Sequence, residues 1–215
     1  MDITTFKKSL PILLKGSIIT IELTVLAIIL GTMLALVITF CKIGKIKALN
    51  KFGDFYTWLF RGTPLLIQLF VIYYGLPQLG IKFTSFTAAV IGLTINISAY
   101  ITEIIRAAIQ SIDNGQWEAS KALGMNYWQT MFLIIIPQSI KRMLPPMSNE
   151  FIALLKDTSL VSAISMGDLM RKSQLIYAAT YKPLEVFLLA TILYLMMTTV
   201  FTTSFKALEN RFIFE

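Results

Sequence analysis

From Gly16 to Cys41 the chain runs through apolar and small polar residues with Glu22 as its single charge. A helix that spans the hydrocarbon of a bilayer needs about 20 mostly apolar residues. It is favoured there because it satisfies its own backbone N–H and C=O groups. The run is too long for a signal-peptide core and no small-residue cleavage site follows it, so it is expected to stay in the mature protein as a first spanning helix. Similar stretches follow at about 55–79, 84–109, 143–166 and 184–205. Hydrophobic residues make up 56% of the 215 and charged residues only 14%, a balance outside that of soluble domains. The expectation is an all-α integral membrane protein, a single transmembrane domain over 1–215 with about five transmembrane helices. The apolar run Trp128 to Ile136 is short and is closed by Pro137, Lys141 and Arg142; it is read as an interfacial ramp, not as a sixth crossing.

Basic residues near the ends of spans mark the cytoplasmic side. The first loop carries Lys42, Lys45, Lys47 and Lys51, and the segment after the third span carries Arg106, Lys121, Lys141 and Arg142. Lys206 and Arg211 lie at the end. With five crossings, the amino terminus is expected outside and the carboxyl terminus in the cytoplasm. Lys7, Lys8, Lys15, Arg171, Lys172 and Lys182 count against that orientation.

The formal charge of +7 is assigned to loops and anionic lipid headgroups, because no basic face interleaved with aromatics marks a nucleic-acid module. Cys41 is the one cysteine and there is no histidine, which excludes disulfide frameworks and histidine metal sites within one chain. A Ser/His/Asp triad is excluded for the same reason. No GxxxxGK[ST] loop is present, so the chain does not bind ATP by that route.

Polar residues inside the spans are expensive and therefore informative. Arg61-Gly62-Thr63-Pro64 interrupts the second span. Proline there either frees carbonyls that a protein group or a wet cavity must satisfy, or opens the true span, with Arg61 snorkelling and Leu65 and Leu66 beginning the buried part. In the third span Asn96 and Glu103 are seven positions apart and share a helix face with Ala99 and Tyr100 near them. Glu103 is expected to face a cavity or a partner, or else to pair with Arg106 one turn on. The fourth span holds Glu150, Lys156 and Asp157. Ser17, Thr20 and Thr24 form one stripe on the first span, a pattern common in helix–helix hydrogen bonding within membranes.

Between the third and fourth spans lies a polar helical segment, Glu118-Ala119-Ser120, then Gly124, then Ile134-Ile135-Ile136-Pro137. This spacing resembles the Glu-Ala-Ala, Gly and Ile-x-Leu-Pro motif of membrane permease subunits of ATP-binding-cassette importers, in particular the polar amino acid uptake family. Ser120 replaces an alanine and Ile136 a leucine. Arg61-Gly62-Thr63-Pro64-Leu65-Leu66, Ala99-Tyr100 with Glu103-Ile104, and Leu155-Lys156-Asp157-Thr158-Ser159-Leu160 resemble further family signatures.

The resemblance implies a cytoplasmic coupling helix at about 115–126. Glu118, Ala119, Ser120 and Gly124 would meet a groove on a partner ATPase, with Ala119 and Gly124 keeping the contact low. It implies two ATPase subunits that bind ATP and Mg, no cofactor or metal in this chain, and no catalysis by the chain itself. It also implies a second permease copy or a paralogue, an extracellular or periplasmic solute-binding protein, and residence in a prokaryotic plasma membrane. The amino acid would bind midway through the membrane at Asn96, Glu103 and Asp157, with Leu65 as an apolar wall and Thr20 and Thr24 as weaker contacts. Carboxylates lean the substrate towards basic amino acids or cystine. Glutamine or an acidic amino acid becomes equal if Lys156 faces the same cavity. Two other classes stand beside this reading: an intramembrane enzyme using Glu103 and Asp157, and a membrane anchor for an ATPase.

Overall fold

The computed structural model describes the backbone of residues 3–213 and the side chains of 6–211. Among the described residues there are helices and connecting turns but no strand. The first helix, α1 (Ile3–Ile43), is long and carries Pro11 inside it. Its inner face is buried at Leu13, Leu23, Ala27 and Ala35, while Ile18, Met33 and Val37 point outward and exposed, as lipid contact requires. Its main neighbour is α4 (Ser85–Gln110). Gly31 makes that packing close: a Cβ there would meet Ile97 Cγ2 at 2.4 Å.

The expected second span has a different construction. α2 (Lys47–Gly62) and α3 (Leu65–Phe70) are separate helices, and the α2 axis meets that of the continuing helix, Leu65–Leu79, at 101°. Pro64 is the cause. It forces Thr63 into extended backbone, φ −119° and ψ 144°, as a residue before proline prefers. Pro64 then caps α3. Beyond α3 come a π-helical turn at Val71–Gly75 and a 3-10 turn at Leu76–Leu79.

α5 (Asn114–Ala122) and α6 (Tyr127–Thr130) follow α4 at one end of the bundle. A π-turn at Met131–Ile135 leads into α7 (Ile136–Asp157), so Pro137 stands in the first turn of α7, where its missing N–H is tolerated. The apolar run read as an interfacial ramp is thus continuous with the helix after it. α7 continues as a 3-10 turn at Thr158–Ile164. α8 (Leu169–Thr180) and α9 (Pro183–Ile213) complete the chain. Asp168 caps α8, accepting from the N–H groups of Met170 and Arg171. Gly16 of α1 lets this corner approach, since a Cβ there would lie 2.8 Å from Leu169 Cα.

Three helices among the described residues are long and apolar enough to cross a membrane, at Phe6–Ile43, Ser85–Gln110 and Pro183–Arg211; the bent pair Lys47–Gly62 and Leu65–Leu79 makes a fourth if taken as one span. α7 is not among them. It carries Lys141, Arg142, Glu150, Lys156 and Asp157, and several of these line clefts.

Candidate functional site

A bend of 101° leaves the last carbonyls of α2 without helical donors. Two amides supply them. Gln68 Nε2 lies 3.0 Å from Phe60 O, 3.1 Å from Thr63 O and 2.9 Å from Thr63 Oγ1. Asn96 Nδ2 donates to Phe60 O at 3.1 Å and to Gln68 Oε1 at 3.2 Å. Thr63 Oγ1 in turn donates to Leu59 O. At this stretch α3 opens at Leu65, and side chains from α3 and α4 bind the carbonyls that proline releases.

The held-open bend forms one wall of a cleft of about 560 Å³. Gly62, Thr63, Pro64 and Leu65 face it from the bend, Asn96, Ile97 and Tyr100 from α4, and Glu150, Ala153, Leu154 and Asp157 from α7. Glu150 and Asp157 are two turns apart on α7 and share a face. Arg61 joins from the end of α2, its guanidinium 5.5 Å from the centre of the Tyr100 ring. Three of the expected site residues, Leu65, Asn96 and Asp157, thus meet in one place. Lys156 is not among the lining residues.

Glu103 lies elsewhere. Its Oε1 accepts from Lys42 Nζ at 2.5 Å. Its Oε2 accepts from Arg106 Nη2 at 2.7 Å and Nε at 2.9 Å. Lys42 also reaches Asp54 at 3.0 Å and Thr57 Oγ1 at 2.9 Å, so one cluster ties α1, α2 and α4 together. The side chains of Lys42 and Glu103 are 8% and 16% exposed, so their charges depend on one another. Glu103 lines two neighbouring clefts, one shared with Arg142 and Glu150, the other with Lys42 and Asp54.

Thr20 and Thr24 are fully buried. Thr24 Oγ1 donates to Thr20 O, and Thr20 Oγ1 accepts from Leu169 N at 3.2 Å. They join α1 to α8 and do not line the 560 Å³ cleft.

The expected coupling segment forms α5 and its C-terminal turn. Asp113 Oδ1 accepts from Gly115 N at 2.7 Å to start the helix. Ser120 is buried and bonds back to Gln116 O, whereas Glu118, Ala119 and Gly124 are exposed. Gly124 has φ +76°. Gly124 N bonds Lys121 O and Met125 N bonds Ser120 O, the double closure that ends a helix with a left-handed residue. Glycine is needed here for its left-handed backbone, which L side chains rarely adopt, and not for space, since a Cβ there would meet nothing within 4 Å in this chain. Leu123 beside it is 81% exposed. Behind α5, Trp117 stacks on Tyr127 over a small core of Ile112, Met131 and Ile135.

Residues 27–214 match the family described as the binding-protein-dependent transport system inner membrane component. The chain belongs to that family. Similar to this permease are the arginine transport system permease protein ArtQ of Bacillus subtilis (strain 168), 40% identical over 98% of this chain and 97% of the relative, and a putative glutamine transport system permease protein GlnP of Rickettsia bellii (strain RML369-C), 38% identical over 97% and 96%. The crystal structure of an amino acid ABC transporter with histidines contains a chain superposing with a TM-score of 0.94, at 41% identity over 98% of this chain and 99% of that one. The chain is accordingly a transporter component of ABC permease fold, not an enzyme.

Four residues of this permease gain a place that sequence reading did not give them. Glu150 and Arg61 were visible as charges in or beside spans, but only the fold puts them across one cleft. Gln68 is a lone amide among Leu65–Phe70, and a polar residue four positions after a proline was the available sign that a carbonyl needed a donor. Lys42 read as a loop cation, because the helix continues to Ile43 beyond the expected end of the span.

Proposed function

We propose that this permease carries a polar amino acid, with a preference for a second cationic group, through the cleft between α2–α3, α4 and α7. The observation that carries this reading is the pair Glu150 and Asp157 facing Arg61 with Lys156 outside the lining. An amino acid with a cationic side chain brings two positive groups and one negative group, and the cleft offers the reverse. Asp157 and Glu150 hold the ammonium groups, and Leu65 forms an apolar wall. Asn96 lines the cleft while holding the bend open. Glu103 supports the site from the neighbouring ion cluster, and Thr20 and Thr24 hold α1 against α8. The names of the arginine and glutamine relatives support amino acids as the class.

Five crossings at about 16–41, 55–79, 84–109, 143–166 and 184–205 are part of the proposal, with the second beginning effectively at Leu65. The amino terminus lies outside and the carboxyl terminus and α5 in the cytoplasm. There α5 docks with Glu118, Ala119 and the Gly124 turn in a groove of an ATPase subunit, with Ser120 buried behind them as support. Two such subunits bind ATP and Mg; a second permease copy or paralogue completes the pathway, and a binding protein delivers solute from outside. ATP-driven closure moves α5 as a rigid element, and the spans exchange inward for outward access because each state makes different contacts.

The test is uptake and solute-stimulated ATP hydrolysis by the permease–ATPase complex in vesicles, with its binding protein, across a panel of amino acids. Stimulation by arginine, lysine, histidine or cystine, lost in Asp157→Asn with the complex still assembled, is the expected outcome. Undiminished uptake in both Asp157→Asn and Glu150→Gln would refute the site.

A further inference from the structure

Arg61 is the single cation lining the 560 Å³ cleft, and its charge is the least committed in the neighbourhood. Its nearest carboxylate oxygen, Glu103 Oε2, is 3.9 Å away, beyond hydrogen-bond reach. Both oxygens of Glu103 are already engaged, one by Lys42 and the other twice by Arg106. Among the described residues Arg61 donates no hydrogen bond; the Tyr100 ring beneath it holds the planar guanidinium in place. A guanidinium with its donors unspent, set over an aromatic ring and standing across a cleft from two carboxylates, is suited to take an incoming carboxylate on two parallel bonds.

We propose that Arg61 receives the α-carboxylate of the transported amino acid, and so makes the cleft select amino acids over the corresponding amines. This rests on the amino acid reading given above. Glu150 and Asp157 alone would attract any di-cation, including an amine that has lost its carboxylate. Arg61 repels such an amine and rewards the carboxylate, so discrimination comes from one attractive and one repulsive contact at the same residue. Lysine at this position keeps the charge but gives up the planar fork and much of the ring contact.

The experiment measures equilibrium binding of radiolabelled arginine and of agmatine, its decarboxylated counterpart, to the purified permease–ATPase complex, and repeats it with lysine and cadaverine. Wild type is expected to favour arginine over agmatine by roughly 30-fold, the range for a hydrogen-bonded charged contact. Arg61→Gln is expected to lose that preference by weakening arginine while agmatine binds as well or better, and agmatine binding shows that the cleft is still folded. Arg61→Lys should retain a part of the preference. An Arg61→Gln complex that still prefers arginine as strongly as wild type, or one that loses both ligands equally, overturns the proposal and leaves the amino acid reading standing. A wild-type complex that binds neither these nor any other amino acid overturns that reading, and this proposal with it.

Discussion

Two groups of acidic residues sit within the same helical bundle and have opposite fates. Glu103 is saturated: Lys42 and Arg106 occupy both of its oxygens. Glu150 and Asp157 face a cleft whose lining holds one guanidinium. A carboxylate with all of its donors supplied by its own chain binds helices to one another, whereas a carboxylate facing open space has capacity left for a ligand. The residue type is shared, and the difference comes from which neighbours the fold brings within about 3 Å.

The contrast breaks most readily at the saturated group. Lys42→Ala removes one of the two cations that engage Glu103 in a largely buried setting while Arg106 stays, and the expected loss of stability is about 1.5–3 kcal/mol. Thermal unfolding of the purified complex should record it, while the affinity of any surviving complex for its solute stays near wild type. A Lys42→Ala complex as stable as wild type would remove the structural reading of the cluster. The mirror-image experiment is Glu150→Gln, where solute affinity is expected to fall roughly 10- to 100-fold with thermal stability held. Loss of stability with affinity intact would interchange the two groups.

Smaller effects sharpen the same distinction. Gln68→Leu leaves the Thr63 carbonyl without its amide donor and is expected to cost about 1–3 kcal/mol. Because the bend also shapes the cleft, both stability and affinity should move together, unlike the two preceding cases. Gly124→Ala places a Cβ on left-handed backbone, at a cost of about 1–2 kcal/mol confined to the end of α5. Solute-stimulated ATP hydrolysis should drop while solute binding does not.

A pH-dependent effect lies at the corner of α8. Burial pushes the Asp168 carboxyl up to about 6, although backbone N–H groups, Met170 and Arg171 among them, draw it the other way. Its ordinary value is about 3.9. The folded state therefore holds the proton more tightly than the unfolded chain. The contribution from this group is complete below the ordinary value and is lost as pH rises through about 6. Asp168→Asn keeps a capping side chain and should flatten the decline of the unfolding temperature across that window. An unchanged slope would show that another group governs it.

The apolar runs, the motif spacing around Glu118 to Pro137, and the cost of charges in spans were enough to read a helical membrane permease, because each is a local property of the chain. A bilayer demands long apolar helices, and that demand is written residue by residue. The Thr20 and Thr24 stripe was equally legible as helix packing, since a hydroxyl in a helix bonds back to its own turn. Gly124 was visible as a motif glycine, but its left-handed backbone required the helix end to be seen. What tertiary structure alone decided was which charges meet. Glu103 and Asp157 look alike in sequence, and Lys42 is 61 positions from the carboxylate it binds. Coulombic interaction depends on separation in space and on burial, neither of which the order of residues states. Packing of α1 and α2 against α4 saturates one carboxylate, and the Pro64 bend opens a cleft before the other.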